Sequence, residues 1–161
     1  MDKDEWGTPQ SFFNDLDETF NFSLDPCGTT LRRLKATNKM VTLTKAIDGL
    51  QATWEGQSVF VNPPYSGKQL EQWVKKCYGE RHKATDIVLI MPSNRTGTRY
   101  FHKYVLGSAE IAFVPGRLQF VPLAGQKVGS NPMNTIIAVW QSSNDGKAEE
   151  LMGRINDFEG D

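Results

Sequence analysis

The sequence predicts an α/β fold, a sheet flanked by helices, on three observations. Short runs of β-branched and aromatic residues bounded by turn formers occur at residues 59–61, 86–92 and 134–140, as strands of a covered sheet require. Between them lie stripes of apolar residues at helical spacing, such as Leu70, Trp73, Val74 and Cys77. The two patterns alternate along the chain, which is the signature of strands connected through helices.

Taken in order, Thr8 and Pro9 read as the N-cap and first position of a helix whose Phe12, Phe13, Leu16 and Phe20 face a core. Residues 22–28 read as a short strand ending in Asp25-Pro26-Cys27-Gly28, where an acid and a turn glycine suit close approach of a ligand. Asp-Pro turns are common, so physics alone makes this a weak signal. Residues 29–54 have poor periodicity, and Arg32, Arg33, Lys35 and Lys39 form either a solvated basic loop or a DNA contact. The strand at 59–61 stops at Asn62-Pro63-Pro64-Tyr65, and the prolines preset that loop because they fix φ and carry no N–H. A packing helix follows, with Gly79 as its expected stop.

Residues 86–92 are the clearest buried strand. Beyond it, Arg95 and Arg99 stand among hydroxyls and aromatics, either to meet phosphates and a base or beside plain helix core. Residues 110–121 read as strand, Pro115-Gly116 turn and returning strand, with Arg117 a candidate phosphate or target-pocket contact. A Gly-rich loop spans residues 122–132, a closing strand residues 134–140, and a polar tail with a short helix and a frayed end starts at about residue 141.

Asn62-Pro63-Pro64-Tyr65 resembles the (Asp/Asn/Ser)-Pro-Pro-(Tyr/Phe/Trp) signature of DNA amino-methyltransferases. With Trp6-Gly7-Thr8-Pro9, Leu24-Asp25-Pro26 and Asp48-Gly49-Leu50 in the same order, residues 6–140 are similar to the small phage and prophage Dam-like DNA N6-adenine methyltransferases. The resemblance implies a compact Rossmann-like methyltransferase sheet, mostly parallel with an antiparallel strand near the C-terminus. It also implies S-adenosylmethionine as cofactor and DNA as substrate. On the same ground Trp6, Thr8, Asp25, Pro26, Cys27, Gly28, Asp48 and Asn62 are expected at the cofactor, with Asp48 bonding its adenine amine. Asn62, Pro63, Pro64 and Tyr65 are expected at the target base, and Arg32, Arg33, Lys35, Arg95, Arg99 and Arg117 at DNA. Here Thr29, Thr30 and Leu31 replace the second glycine that larger methyltransferases carry.

Composition narrows the alternatives. A chain of 161 residues, 39% apolar and 23% charged, is most simply one domain with its own core. The net charge of −1 gives no global attraction to nucleic acid, so DNA contact must be local. Cys27, Cys77, His82 and His102 have no metal-ligand spacing, and a reduced thiol pair in a cytoplasmic protein, monomer or weak homodimer, is expected. No apolar run approaches the roughly 20 residues a membrane span needs.

The exocyclic amine of adenine is a poor nucleophile because its lone pair is delocalised into the ring. Two fixed acceptors, the Asn62 side-chain oxygen and the Pro63 carbonyl, would localise that pair as charge develops. Tyr65 would stack on a base drawn out of the duplex. Cytosine-N4 methylation uses the same acceptors and stays open at this level, as does a non-catalytic DNA-binding relative. An Asn-Pro-x-Tyr peptide motif is disfavoured because residues 59–61 fix the loop to a folded core.

Overall fold

The computed structural model of the protein describes residues 6–29, 34–116, 121–122, 134–143 and 145–157. The chain runs through strand β1 (Trp6–Gly7), helix α1 (Gln10–Phe20), β2 (Leu24–Asp25), β3 (Val41–Thr42), α2 (Ala46–Gln51), β4 (Ser58–Val61), α3 (Gly67–Glu80) and β5 (Asp86–Pro92). A 3₁₀ turn (Ser93–Arg95) and a π-helical turn (Phe101–Val105) follow. Then come β6 (Glu110–Phe113), β7 (Val121–Pro122), β8 (Thr135–Gln141), α4 (Lys147–Arg154) and a 3₁₀ turn (Ile155–Asp157).

Six strands form one sheet in the order β3-β2-β4-β5-β8-β6. The pairs β3/β2, β2/β4 and β4/β5 are parallel, whereas β8 lies antiparallel between β5 and β6. Among the described strands of this sheet five therefore point one way and β8 is reversed, as the resemblance implies.

All seven residues of β5 are buried. Such burial on both faces is what turns a strand into a continuous apolar run in sequence. The period-2 alternation is nevertheless present in what each side chain touches. Phe60, Val88, Ile90, Ile137 and Val139 join Phe12, Phe13, Leu16 and Leu151 on one face. Val59, Val61, Ile87, Leu89, Met91, Ile136 and Ala138 join Leu70, Trp73, Val74 and Cys77 on the other. The first core carries an aromatic cluster in which Phe13 meets Phe60 edge-on at 5.0 Å.

Several elements differ from the sequence expectation. The poorly periodic residues between Gly28 and Trp54 contain β3 and α2. Val41 is a strand residue because its N–H donates to the Ser23 carbonyl, and Leu43 N–H likewise reaches the Asp25 carbonyl. Helix α2 docks through Gly49, where a Cβ would lie 2.0 Å from the Pro26 carbonyl oxygen and 2.7 Å from the Trp73 ring. Helix α3 runs past Gly79 to Glu80, since tertiary burial of Trp73, Cys77 and Glu80 outweighs one glycine. Of the expected hairpin over residues 110–121, residues 117–120 lie outside the described residues; β6 pairs with β8, and β7 pairs antiparallel with β1.

The polar C-terminal segment contains the expected short helix, α4, and that helix packs into the core. Ala148, Leu151 and Ile155 enter the core beside α1. Arg154 binds Glu18 at 3.0 Å and the Thr19 hydroxyl at 2.7 Å, and also reaches the Asp15 carbonyl. Leu151 is fully buried, so Leu151→Ala is expected to cost about 2–5 kcal/mol. Urea denaturation with an unchanged midpoint would show that α4 lies outside the cooperative core.

Candidate active site

Strand β4 ends where Pro63 and Pro64 can no longer donate to a ladder. Its neighbour β5 continues. Asn62 therefore emerges at the carboxyl end of the parallel strands, beside the carboxyl end of β2, where Asp25 is 5% exposed. Ligands collect at this end of an open α/β sheet.

Three side chains meet there in one hydrogen-bonded chain. The Asn62 amide donates through Nδ2 to Thr8 Oγ1 at 2.7 Å, and the Tyr65 hydroxyl donates to Asn62 Oδ1 at 3.1 Å. Arg95 closes the loop from outside, its Nη2 donating to the Tyr65 carbonyl at 3.1 Å. Thr8 does not cap α1, contrary to the sequence expectation. Pro9 occupies the N-cap position and its side chain has no acceptor for a cap bond, while the Thr8 hydroxyl is bonded to Asn62.

Thr8, Asp25, Cys27, Gly28 and Asn62 line a narrow cleft with Leu34 and Phe60. Its enclosed volume is about 40 Å³, room for a few waters. Gly28 is required by close packing: a Cβ would stand 2.3 Å from Thr42 Cγ2 and 3.1 Å from Asp25 Oδ2. Its N–H donates to the Leu43 carbonyl at 3.0 Å, which pins the turn after β2 against the chain after β3.

The cleft is electrostatically quiet. Burial pushes the Asp25 carboxyl up from 3.8 to about 7, opposed by the Cys27 N–H that Oδ1 accepts at 3.3 Å. Burial holds the Cys27 thiol well above its ordinary value, reinforced by the neighbouring Asp25 charge and opposed by the Asn62 backbone N–H. Burial likewise raises Tyr65, with Cys27 adding to it. Both stay protonated through the physiological range, so Tyr65 remains a donor and neither group is an anionic nucleophile.

The other candidates are placed as follows. Asp48 is exposed in the first turn of α2, one residue from the Gly49 contact with Pro26, and does not line the cleft. Trp6 belongs to β1, Pro26 is buried, and Lys35 and Arg99 are exposed. Arg32, Arg33, Arg117 and nearly all of the Gly-rich loop at 122–132 lie outside the described residues. Sequence reasoning missed the link from Arg95 to the Tyr65 carbonyl and the lining role of Leu34, neither of which has a local signal. Among the described residues there is no cluster of His, Cys, Asp and Glu that would hold a metal, and no helix is long and apolar enough to cross a membrane.

Residues 1–152 match the family of DNA N-6-adenine-methyltransferases called Dam. The chain belongs to the Dam family. A DNA N-6-adenine-methyltransferase of Haemophilus phage HP1 (strain HP1c1) is 28% identical over 123 residues, covering 74% of this chain and 68% of the relative. The fold matches a protein from Listeria monocytogenes described as a class I S-adenosylmethionine-dependent methyltransferase. That match has a TM-score of 0.54 at 15% identity and spans 99% of this chain and 74% of the other. As a Dam family member the protein is an adenine-specific DNA methyltransferase that uses S-adenosylmethionine.

The Asp25 carboxyl has a testable consequence without any ligand. Its unfolded form ionises near 3.8 and its folded form near 7, so the folded protein holds the extra proton in between. Stability is thus highest below about pH 4 as far as this group is concerned, and is lost as pH rises to about 7. Asp25→Asn, which keeps an acceptor for Cys27 N–H, is expected to gain on the unaltered protein across that window by a few kcal/mol at most. Parallel stability curves for the two from pH 4 to 8 would mean that Asp25 is solvated.

Proposed function

We propose that the enzyme methylates an adenine turned out of the DNA duplex, with Asn62 and the Pro63 carbonyl as the two acceptors for its amine. The observation that carries this reading is the held amide of Asn62. Its N–H side is engaged by Thr8, which leaves Oδ1 as the acceptor at the mouth of the cleft. An amide oxygen has two lone-pair directions, so the Tyr65 hydroxyl occupies one and the substrate amine takes the other.

Accepting both amine hydrogens opposes delocalisation of the nitrogen lone pair and stabilises the positive charge that develops there. No covalent intermediate with the protein is needed, in keeping with the protonated states of Cys27 and Tyr65. Tyr65, half-buried beside Asn62, offers its ring as the stacking surface. Unstacking a base costs a few kcal/mol, and stacking on an aromatic side chain returns roughly 1–3.

The residues at the head of the cleft fit S-adenosylmethionine. Gly28 packs the turn tightly against Thr42, and the buried Asp25 carboxyl is an acceptor for hydroxyl or amine donors. When bound, S-adenosylmethionine supplies the electrophilic methyl group. Gly7, Cys27 and Gly28 would form the wall, with Pro26 holding the turn and Trp6 bringing β1 to the rim. Asp48 would serve the cofactor's adenine amine from the exposed turn of α2.

For DNA, the two arginines beyond β5 divide their roles. Arg95 steadies the Asn62-Tyr65 loop through the Tyr65 carbonyl, while exposed Arg99 and Lys35 are phosphate contacts. Arg32, Arg33 and Arg117 are assigned to the same DNA surface.

The test is incorporation of labelled methyl groups into DNA followed by nucleoside analysis. Asn62→Ala is expected to abolish N6-methyladenine while leaving cofactor affinity unchanged. Parallel loss of cofactor binding would reassign Asn62 to the cofactor. Arg99→Ala is expected to weaken binding uniformly across DNA sequences and to reduce the salt slope by about 1. An unaltered slope would return Arg99 to the solvated surface.

A further inference from the structure

We propose that Thr8 is a positioning residue for methyl transfer. By accepting the Asn62 amide N–H it holds the acceptor oxygen toward the target amine. This inference rests on the reading of Asn62 as that acceptor.

An asparagine amide has a donor end and an acceptor end of nearly the same shape. Rotated by half a turn, Asn62 would present N–H to the adenine amine, two donors would face each other, and the lone pair would gain nothing. The productive arrangement needs a fixed acceptor for Nδ2. Thr8 Oγ1 is that acceptor at 2.7 Å, and the Tyr65 hydroxyl holds the other end at 3.1 Å.

Thr8 is itself held. It is 6% exposed. On one side Trp6 and Gly7 are paired with Pro122 and Val121. On the other Pro9 opens α1, its carbonyl accepting the Phe13 N–H at 3.0 Å. The threonine hydroxyl therefore sits between a short strand pair and the first turn of α1, and α1 does not use it as a cap.

The contribution grows in the reaction. As positive charge develops on the substrate amine, electron density is drawn toward Asn62 Oδ1 and the amide polarises. Its Nδ2–H then becomes a stronger donor, and the bond to Thr8 strengthens along the same hydrogen-bonded chain. An interaction stronger in the transition state than in the ground state raises kcat rather than ligand affinity. The chemistry thus places the Thr8 hydroxyl in turnover and not in cofactor binding, although Thr8 also lines the cleft.

Three variants test this with unmethylated genomic DNA as substrate: Thr8→Val, which keeps the shape, Thr8→Ser, which keeps the hydroxyl, and Asn62→Ala. Thr8→Val is expected to lower kcat about 10- to 100-fold, with KM for DNA and calorimetric Kd for S-adenosylmethionine unchanged. Thr8→Ser is expected to restore most of the loss. Intact cofactor binding in Thr8→Val also reports that it has folded. Loss of cofactor affinity in Thr8→Val would overturn the proposal by assigning the hydroxyl to the cofactor, and a larger loss of kcat in Thr8→Ser than in Thr8→Val would overturn it by assigning the effect to methyl packing. A fully active Thr8→Val beside an inactive Asn62→Ala would overturn the positioning role and leave the Asn62 reading intact. An active Asn62→Ala would overturn both.

Discussion

The site depends on a mismatch in length between two paired strands. Strand β4 is in register with β5 from Ser58↔Asp86 to Val61↔Leu89, and there its ladder stops. Strand β5 goes on through Ile90, Met91 and Pro92, held on its far side by β8. The cause is covalent: Pro63 and Pro64 have no N–H to offer, so the β4 ladder cannot be extended however favourable the burial. A notch is left at the carboxyl edge of the sheet, and the Asn62-Tyr65 loop turns in it. Because β5 is paired on both sides and covered on both faces, the height at which Asn62 leaves the sheet is fixed by the best-packed part of the molecule.

What fills this notch is neutral. A carboxyl that holds its proton to about pH 7, a thiol and a phenol that keep theirs, and an amide fixed at both ends make a cleft of oriented dipoles. Oriented dipoles in a water-poor site stabilise developing charge without reorganising at the moment of reaction. A fixed negative charge in that place would have cost folding free energy and attracted water into the cleft.

How legible each part was in the sequence follows from how local its cause is. The strands at 59–61, 86–92 and 135–140 announce themselves by β-branched runs, and α3 by its stripe at Leu70, Trp73, Val74 and Cys77, because burial of those side chains decides the conformation. The Asn-Pro-Pro-Tyr loop is legible for the same reason, its stiffness being written into consecutive residues. By contrast β3 and α2 span two and six residues. They exist through contacts such as Gly49 against the Pro26 carbonyl, which no window of neighbours contains. Thr8-Pro9 carries a helix-start signature, yet the hydroxyl goes to a partner 54 positions away. The pairing of β7 with β1 is of the same kind. In α4 the apolar spacing of Ala148, Leu151 and Ile155 was present, but the charged residues between them masked a face that only α1 completes.

The two sides of the cleft consequently differ in how firmly they are built. Asn62 stands on a strand locked into a six-stranded sheet, and Asp25 on a strand paired at both edges. Thr8 follows a two-residue strand whose one partner strand, β7, is equally short. A ladder that small contributes little stability of its own, and local opening free energies are lowest where few backbone bonds and few buried contacts hold a segment. Thr8 therefore gains order from Asn62 as well as giving it, through a part-buried bond. A single 2.7 Å hydrogen bond thereby joins the N-terminal side of the cleft to Asn62 at its centre.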